Sequence, residues 1–450
     1  MTAFATRSTV ATQPSLSTSF ATSSMPAPLP ASAPPALSGI SSSASQSAMS
    51  VPGGRTVTVS TSAQLSAAAR VAKAGDTILL AAGNFGDTVL SHVNPTGVIT
   101  IKSADPNNDA VFRSLRLTRV SNIVFEDFDV ARPIAAGGNT NDAAIQVNGG
   151  TNITFSGIDV RGSMNGSAFD DGHGISIPSG SHISILDSTF TQLRTAVIVR
   201  GQDFLFAGNT ITQVREGVSI SSMTRGVFEQ NYFGDFQANY AAKEHPDMFQ
   251  VHSGGTATAS SELIFRDNVM RPGAGPVGGI FIASEGLARG ERHENILIEN
   301  NFYEGAYRHA ISVSNVDDVT VRNNTVRMGD FKGLVPAIMF ADIKGGVVEN
   351  NISTLMLEHR LHKSSGLTYA NNVDLWDPKF KKGVLASEIF ANPGDGDIDF
   401  SNLNTIAGSA AGRAGAGFAA VAEIGNLSGS AAAQMAAWLQ TYDQNFAVFG

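Results

Sequence analysis

Short apolar runs recur along most of the chain, and each gives way to a polar corner. Seven asparagines follow such runs at intervals of 22, 37, 33, 23, 27 and 21 residues: Asn209, Asn231, Asn268, Asn301, Asn324, Asn351 and Asn372. The runs, such as residues 204–207 and 263–266, are short and rich in Val, Ile and Phe. A period in the low twenties with several short strands per unit is typical of a solenoid, in which each coil adds one rung.

A second series of apolar strands follows each corner by roughly a dozen residues. Its members are 145–147, 175–177, 197–199, 218–220, 249–251, 280–282, 311–313 and 338–340. A leucine-rich repeat would show regularly spaced leucines and one strand per unit, whereas here Val, Ile and Phe fill several strands and Asn marks the corner. Asn side chains stacked at a turn can bond the backbone of the neighbouring coil. The pattern therefore predicts an all-β protein, a parallel β-helix.

The segments that flank the repeats predict three regions: a disordered segment at 1–50, a β-helix at 51–415 and a short C-terminal tail at 416–450. The first is rich in Ser, Thr, Ala and Pro, and Arg7 is its only charge. It lacks the basic start and the apolar core of about 7 to 15 residues that a signal peptide needs. At the start of the β-helix, Leu65 and Ala69 share the face of a predicted capping helix, with Ser62 as N-cap and Gly75 at its end.

The C-terminal tail predicts a helix at 430–440 and ends in an apolar cluster at 445–450. Two interpretations stand side by side. The tail either closes the open end of the solenoid or acts as an uncleaved export signal of the type I kind. The second interpretation, with the missing signal peptide, predicts a secreted protein.

Composition narrows the class of partner. The 450 residues carry a formal net charge of −9, which argues against a general attraction to nucleic acid or to an anionic membrane. There is no cysteine, so disulfides, thiolate metal sites and cysteine nucleophiles are excluded. No apolar run reaches the roughly 18 residues of a membrane span. We expect a monomer.

Three features resemble a known family: the opening segment 59–83, the paired asparagines at the corners, such as Asn300-Asn301, and the closing segment 392–409. They are similar to right-handed parallel β-helix polysaccharide lyases, notably the alginate lyase and chondroitinase B family, over roughly residues 55–415. The resemblance implies a right-handed β-helix that cleaves an acidic polysaccharide. The family's catalytic lysine and arginine pair would correspond by spacing to Lys243 and Arg266, although the residues around Arg266 differ from the family's catalytic context.

The most reactive stretch of the chain is 239–252, which holds two histidines, a lysine, two carboxylates and a tyrosine. Aligning the second strands places four polar residues in one column just before their strands: His173, Glu216, Asp247 and His309. An arginine column precedes it, with Arg194, Arg215 and Arg308, and one position further out are Asp171, His245 and Tyr307. Coils stack about 4.8 Å apart, so neighbouring members would reach one sugar ring.

β-Elimination on a uronic acid needs a neutralised carboxylate, a base for the C5 proton and an acid for the leaving oxygen. The predicted catalytic residues are Lys243 or His245 as base, Tyr240 as donor, Arg215 as the neutralising cation, and Asp247. The predicted substrate-binding residues are His173, Arg194, Arg200, Glu216, Gln250, His252, Tyr307, Arg308 and His309, of which Arg194 and Arg200 are further candidates for neutralisation and His252 for donation. No cofactor is required by this chemistry.

Other interpretations remain open. Hydrolysis needs two carboxylates about 5 to 10 Å apart, which Asp171, Glu216 and Asp247 would supply. A mannuronan-type C5-epimerase is a second alternative, although its Asp-Pro-His segment is here reversed as His245-Pro246-Asp247. A non-enzymatic adhesin or fibre is a third. Asp170 and Asp171 predict either a tight turn or a Ca²⁺ site.

One row of charged residues is expected to stabilise the fold and to take no part in catalysis. Its members alternate in sign on successive coils: Glu229, Arg266, Glu299, Arg322 and Glu349. Such a row is expected to form ion pairs between coils. Arg266 is therefore left out of the predicted catalytic set.

Overall fold

The structure is a computed structural model. It describes residues 54–238, 246–253, 258–273, 275–284, 287, 290–329, 334–375, 382–390, 405–419 and 443–449. All of them belong to one compact unit, Ser50–Gly450.

The described strands pair in parallel and wind into successive coils. The first coils use the strands Thr56–Val59, Thr77–Leu80, Gly83–Ser91, Ile99–Ser103, Ala110–Thr118 and Ser121–Glu126. Later coils contain long strands that continue through a corner, namely Ala143–Ser156, His173–Leu186, Thr195–Ala207, Glu216–Glu229, His309–Arg322 and Ala337–Glu349.

Three coils interrupt this path with a loop, so that each long strand becomes two. The pairs are Asp247–Val251 with Ser261–Arg266, Gly278–Ile282 with His293–Glu299, and Met356–Glu358 with Ser365–Ala370. Short strands complete each coil: Asp129–Ala131, Asp159–Arg161, Thr189–Thr191, Thr210–Thr212, Tyr232–Gly234, Val269–Arg271, Phe302–Gly305, Thr325–Met328, Ile352–Ser353 and Val373–Asp374.

The coils present three faces. The first face contains 143–147, 173–177, 195–199, 216–220, 247–251, 278–282, 309–313 and 337–341. The second face is formed by the strand segments from 151–156 to 365–370, and the third face by the short strands. Inward side chains of all three fill one continuous apolar core, in which aromatic rings stack from coil to coil, as Phe228 and Phe265 do at 5.0 Å.

The asparagine column is a hydrogen-bonded ladder at the corner between the second and third faces. Nδ2 of each asparagine from Asn209 to Asn351 donates to Oδ1 of the next at 2.9–3.0 Å. Nδ2 also donates to a strand carbonyl, as Asn268 does to Phe228 at 2.9 Å. The residue before each ladder member has a positive φ, which Asn tolerates better than most residues, and this explains pairs such as Asn300-Asn301.

The predicted charged row is confirmed as a set of ion pairs on the second face. Arg266 Nη2 lies 2.6 Å from Glu229 Oε2, and Arg322 Nη2 lies 2.7 Å from Glu299 Oε2. The pairs join neighbouring coils in register. Arg266 is thus a bridging residue of the second face, and the position that corresponds to the family's arginine does not face the first one.

The predicted capping helix is confirmed, with corrected ends. It runs from Ser62 to Val71, and Leu65 and Ala69 are buried against the first coils. Ser62 as N-cap was wrong: the cap is Thr61, whose side chain accepts from the Gln64 backbone N–H. The helix also ends before Gly75, at the C-cap Ala72. No described helix is long and apolar enough to cross a membrane.

The C-terminal part of the chain returns along the outside of the coils. Short helices, Ala386–Ile389 and Ala410–Ala414, follow the last strand, and Phe418 then packs against Val269 and Phe302 of the third face. Residues 443–449, which include the 3-10 turn Ala447–Phe449, lie against the second face, where Phe446 covers an apolar column: Leu186, Leu205, Ala207, Val227, Ile264 and Leu297. The described end of the tail therefore covers a lateral face and does not close the end of the solenoid. The helix predicted at 430–440 lies outside the described residues.

Candidate functional site

The outward side chains of the first face form the predicted polar column. Register pairs align His173 with Thr195 and Glu216, then with Asp247, Gly278 and His309 on successive coils. We call these six residues the reactive column. The alignment of His173, Glu216, Asp247 and His309 is confirmed, and their chemical roles stay a prediction.

The basic column precedes the reactive column by one residue on three coils. Arg194 Nη1 donates to Asn141 Oδ1, an uncharged acceptor. The side chain of Arg308 makes no hydrogen bond or ion pair with any described residue. Arg215 lies with its guanidinium 5.2 Å from the ring centroid of Phe169. Burial, and then the charge of the neighbouring Arg194, lower the pKa of Arg215, while Glu216 opposes the effect, which shows that the two guanidiniums lie near each other.

His173 lies beside both arginines. Burial lowers its pKa to about 4, and the charges of Arg194 and Arg215 add to the effect, while Asp142 opposes it. The imidazole is therefore neutral at physiological pH. Its Nδ1 is buried and makes no hydrogen bond with the described residues. A neutral imidazole near two guanidiniums leaves the local charge positive without adding to the repulsion.

Asp247 is the buried carboxylate of the reactive column, with 1% of its surface exposed. It lies over Gly278 of the next coil, and Gln250 Nε2 lies 3.4 Å from its Oδ2. Burial, and then the charge of Asp247, raise the pKa of Tyr307, which shows that the phenol is close to this carboxylate. Glu216 lies at the aligned position one coil earlier and accepts from Thr195 Oγ1 at 2.9 Å.

Three aromatic rings contact one another on the two coils that follow Asp247. The His309 ring is stacked on Phe281, with centroids 5.4 Å apart and an interplanar angle of 4°. Tyr307 contacts the same imidazole at 5.3 Å with a tilt of 35°. The stack fixes the orientation of His309 in the column, beside the predicted substrate-binding positions Tyr307 and Arg308.

A third outward column holds Arg200 and His252. Arg200 Nε donates to Ser221 Oγ at 2.9 Å, and the side chain lines a shallow depression with Gln202. His252 Nε2 lies 2.8 Å from Ser219 Oγ, so imidazole and hydroxyl share one hydrogen. His252 is thus on the face where Gln250 and Asp247 lie, two and five residues earlier.

Asp170 and Asp171 are in the loop 162–172, before His173. Asp171 is fully buried, and its oxygens accept from the Ser163 N–H at 2.7 Å and the Ser163 hydroxyl at 3.0 Å. Asp170 accepts from Asn165 at 2.9 Å. Both carboxylates therefore act as turn-forming groups within the loop, and Asp171 does not face the first face as the hydrolase alternative needs. The described residues contain no group of three or more His, Asp or Glu suited to a metal ion.

The remaining predicted catalytic residues, Tyr240, Lys243 and His245, lie outside the described residues. Sequence reasoning also missed two aromatic residues of this face. Phe281 occupies an outward position in a strand where other coils have Ser176, Ser219 or Ser312, and that exception was visible in the sequence. Phe169 is in a loop and left no such signal.

Comparison with known proteins agrees with the fold. The model of the right-handed β-helix region family matches residues 173–354. Similar solved structures include the Dettilon tailspike protein, at 14% identity and a TM-score of 0.47, over 69% of this chain and 62% of that one. An alginate lyase from a Paenibacillus species is similar at 14% identity and a TM-score of 0.40, over 70% of this chain and 99% of that one. The PL6 family alginate lyase AlyGC is similar at 14% identity and a TM-score of 0.43, over 82% of this chain and 57% of that one.

The chain spans less than two thirds of the length of the tailspike and of AlyGC. No curated protein matches it in sequence. At such low identity these likenesses concern the fold alone. The family match and the described coils together confirm the prediction of a right-handed parallel β-helix.

Proposed function

We propose that the protein is an enzyme that cleaves an acidic polysaccharide by β-elimination on the first face. The observation that carries the proposal is a difference between two sets of arginines. On the second face Arg266 and Arg322 are ion-paired with glutamates. On the first face Arg194 and Arg308 have no carboxylate partner among the described residues, although each is half-buried beside the reactive column.

A cation held without a counter-ion is suited to an anionic ligand, because the ligand's carboxylate supplies the missing charge. Each outward column runs across successive coils. A linear polymer that lies along a column would therefore meet one set of polar side chains on every coil. These features favour a uronic-acid polymer over a small molecule, since the described part of the face is an open surface and not a closed pocket.

In this proposal Arg194 and Arg215 bind the uronate carboxylate and stabilise the charge that develops when C5 loses its proton. Lys243 or His245 takes that proton, and Tyr240 or His252 gives one to the leaving oxygen. Bond cleavage then leaves a C4–C5 double bond in the new non-reducing end. No step calls for a metal ion. We further propose that the protein is secreted, because a polymer of this kind is met outside the cell. We also propose that it acts as a monomer.

The test is the ultraviolet absorbance of the unsaturated uronate during incubation with alginate, glucuronan, pectate and chondroitin. Arg194→Gln should reduce the rate, and Arg70→Gln should not, because Arg70 is an exposed arginine of the capping helix far from the reactive column. Absence of the unsaturated product with every polymer would refute β-elimination.

One observation favours a second function, glycoside hydrolysis. Glu216 and Asp247 occupy aligned positions on adjacent coils, two residues before the paired Val218 and Phe249. Coils stack about 4.8 Å apart, and retaining hydrolases hold their carboxyl groups about 5 to 5.5 Å apart. New reducing ends without ultraviolet absorbance would select this function, and Asp247→Asn would then abolish it.

A further inference from the structure

The loop 162–172 carries an exposed aromatic ring beside the basic column. Phe169 is 43% exposed, although Arg215 lies against its ring. It is the one phenylalanine among the exposed large apolar side chains of the described residues, and leaving it beside charged groups forgoes the stability gained from burial.

The backbone of the loop that presents Phe169 is held by hydrogen bonds from two glutamine side chains, Gln192 and Gln237. The Gly166 N–H donates to Gln192 at 3.0 Å, and the Ala168 N–H donates to Gln237 at 2.8 Å. Gln237 returns a hydrogen bond to the Gly166 carbonyl at 3.2 Å. Asp171 closes the base of the loop through Ser163. The ring is therefore positioned before any ligand arrives, which lowers the entropy cost of binding.

We propose that Phe169, Arg194 and Arg215 form a subsite for one uronate ring of the polymer, in which Phe169 stacks on the apolar C–H face of the sugar. The inference rests on the proposed function and names the part of the substrate that the loop recognises. The guanidiniums bind the carboxylate, and the ring contacts the adjacent carbon-bound hydrogens, which the negative face of an aromatic ring attracts.

This arrangement makes the subsite selective. A ring that stacks closely on Phe169 cannot carry a bulky substituent on the same face. The subsite therefore favours unbranched uronates without O-acetyl groups over acetylated ones. Phe169 is a specificity-determining residue here, because it touches the sugar and takes no part in proton transfer.

The first experiment compares Phe169→Ala, Phe169→Tyr and Met164→Ala with the wild type on the acidic polymer that is turned over fastest. Met164 is the matched control, since it is on the same loop and 50% exposed. Loss of a stacked ring should raise KM roughly fivefold and leave kcat within about twofold. Phe169→Tyr should restore the wild-type KM, and Met164→Ala should match the wild type.

The second arm uses that polymer before and after chemical O-acetylation. The wild type should lose efficiency on the acetylated sample, and Phe169→Ala should lose less. An unchanged KM in Phe169→Ala, with the polymer still cleaved, would overturn this inference and leave the proposed function intact. A fall in kcat at constant KM would also overturn it, because the ring would then act only by holding Arg215. If the wild type neither bound nor cleaved any acidic polymer, both this inference and the proposed function would be refuted.

Discussion

The carboxylate of Asp247 occupies the space beside Gly278 on the next coil. A β-carbon added to Gly278 would lie 1.8 Å from Asp247 Oδ1 and 3.2 Å from the His309 carbonyl oxygen. The backbone of Gly278 does not have a positive φ. The glycine is thus required by the neighbouring carboxylate and not by its own conformation, and it lets the reactive column hold a buried acid between two coils.

Gly278→Ala should therefore displace Asp247 and damage activity more than stability. The added methyl group forces a shift of the carboxylate, and misplacement by about 1 Å can cost about 100-fold in rate. The stability cost of such overpacking is about 1 to 3 kcal/mol. Steady-state rates and urea unfolding would measure the two effects. Gly408→Ala is the control, because a β-carbon there meets no atom within 4 Å. Equal activity of the two variants would show that Asp247 has no role in the reaction.

The asparagine ladder should dominate the stability of the coils. In Asn268→Ala, Asn231 loses an acceptor for both its backbone and its side-chain N–H, and the Phe228 carbonyl loses a donor. Leaving buried polar groups without partners costs about 1 to 3 kcal/mol each, so we expect a loss of at least 3 kcal/mol. Asn107→Ala, at an exposed turn, should be nearly neutral. Urea unfolding of the two variants and the wild type measures these losses. An unchanged midpoint for Asn268→Ala would mean that water replaces the hydrogen bonds of the ladder.

The depressed pKa of His173 predicts a stability that decreases as the pH is lowered from about 7 toward 4. Because the folded pKa is about 4 and the unfolded value is 6.5, the unfolded chain binds a proton in this interval that the folded chain does not. Above about pH 7 the imidazole is neutral in both states and does not lower the free energy of unfolding. As the pH falls toward 4, the loss of unfolding free energy grows to at most about 3 kcal/mol.

His173→Asn should flatten this dependence relative to the wild type in unfolding experiments between about pH 7 and pH 4.5. Burial also lowers the pKa of His293, but that contribution is present in both proteins and cancels in the difference. Parallel pH profiles for the two proteins would show that His173 titrates normally in the folded state.

The C-terminal segment should stabilise the second face through Phe446. This ring is 8% exposed and covers Leu205, Val227, Ile264 and Leu297. Phe446→Ala should cost about 3 kcal/mol, in the range for buried phenylalanines, and should increase the binding of a hydrophobic dye. Val448→Ala is the matched control, since Val448 is 47% exposed. An unchanged melting temperature for Phe446→Ala would mean that the segment detaches in solution.

The sequence predicted what repeats. Each coil buries the same amide and the same inward Val, Ile or Phe, so the period, the ladder and the alignment of His173 with His309 all left a pattern. The ion-paired row on the second face was equally visible, because charges of opposite sign recur in register.

The loops and the tail could not be predicted in the same way. Phe169 is positioned by Gln192 and Gln237, and the hydrogen bond to Gln237 spans 69 residues of sequence. A contact of that separation has no local signature. The destination of Phe446 had a weaker signal, since Leu205, Val227, Ile264 and Leu297 are apolar at outward positions and so require a cover.

Removal of divalent cations should leave the protein unchanged. Ca²⁺ takes six to eight oxygen ligands, whereas the Asp171 oxygens accept from Ser163 and Asp170 accepts from Asn165. Burial also raises the pKa of Asp171, so this carboxylate is a poorer cation ligand than an exposed one. We expect treatment with EDTA to change neither the melting temperature nor the rate on the best acidic polymer, and Asp170→Asn to behave like the wild type in both assays. A loss of activity that Ca²⁺ restores and Mg²⁺ does not, and that Asp170→Asn mimics, would instead place a calcium site in this loop and make the turn its scaffold.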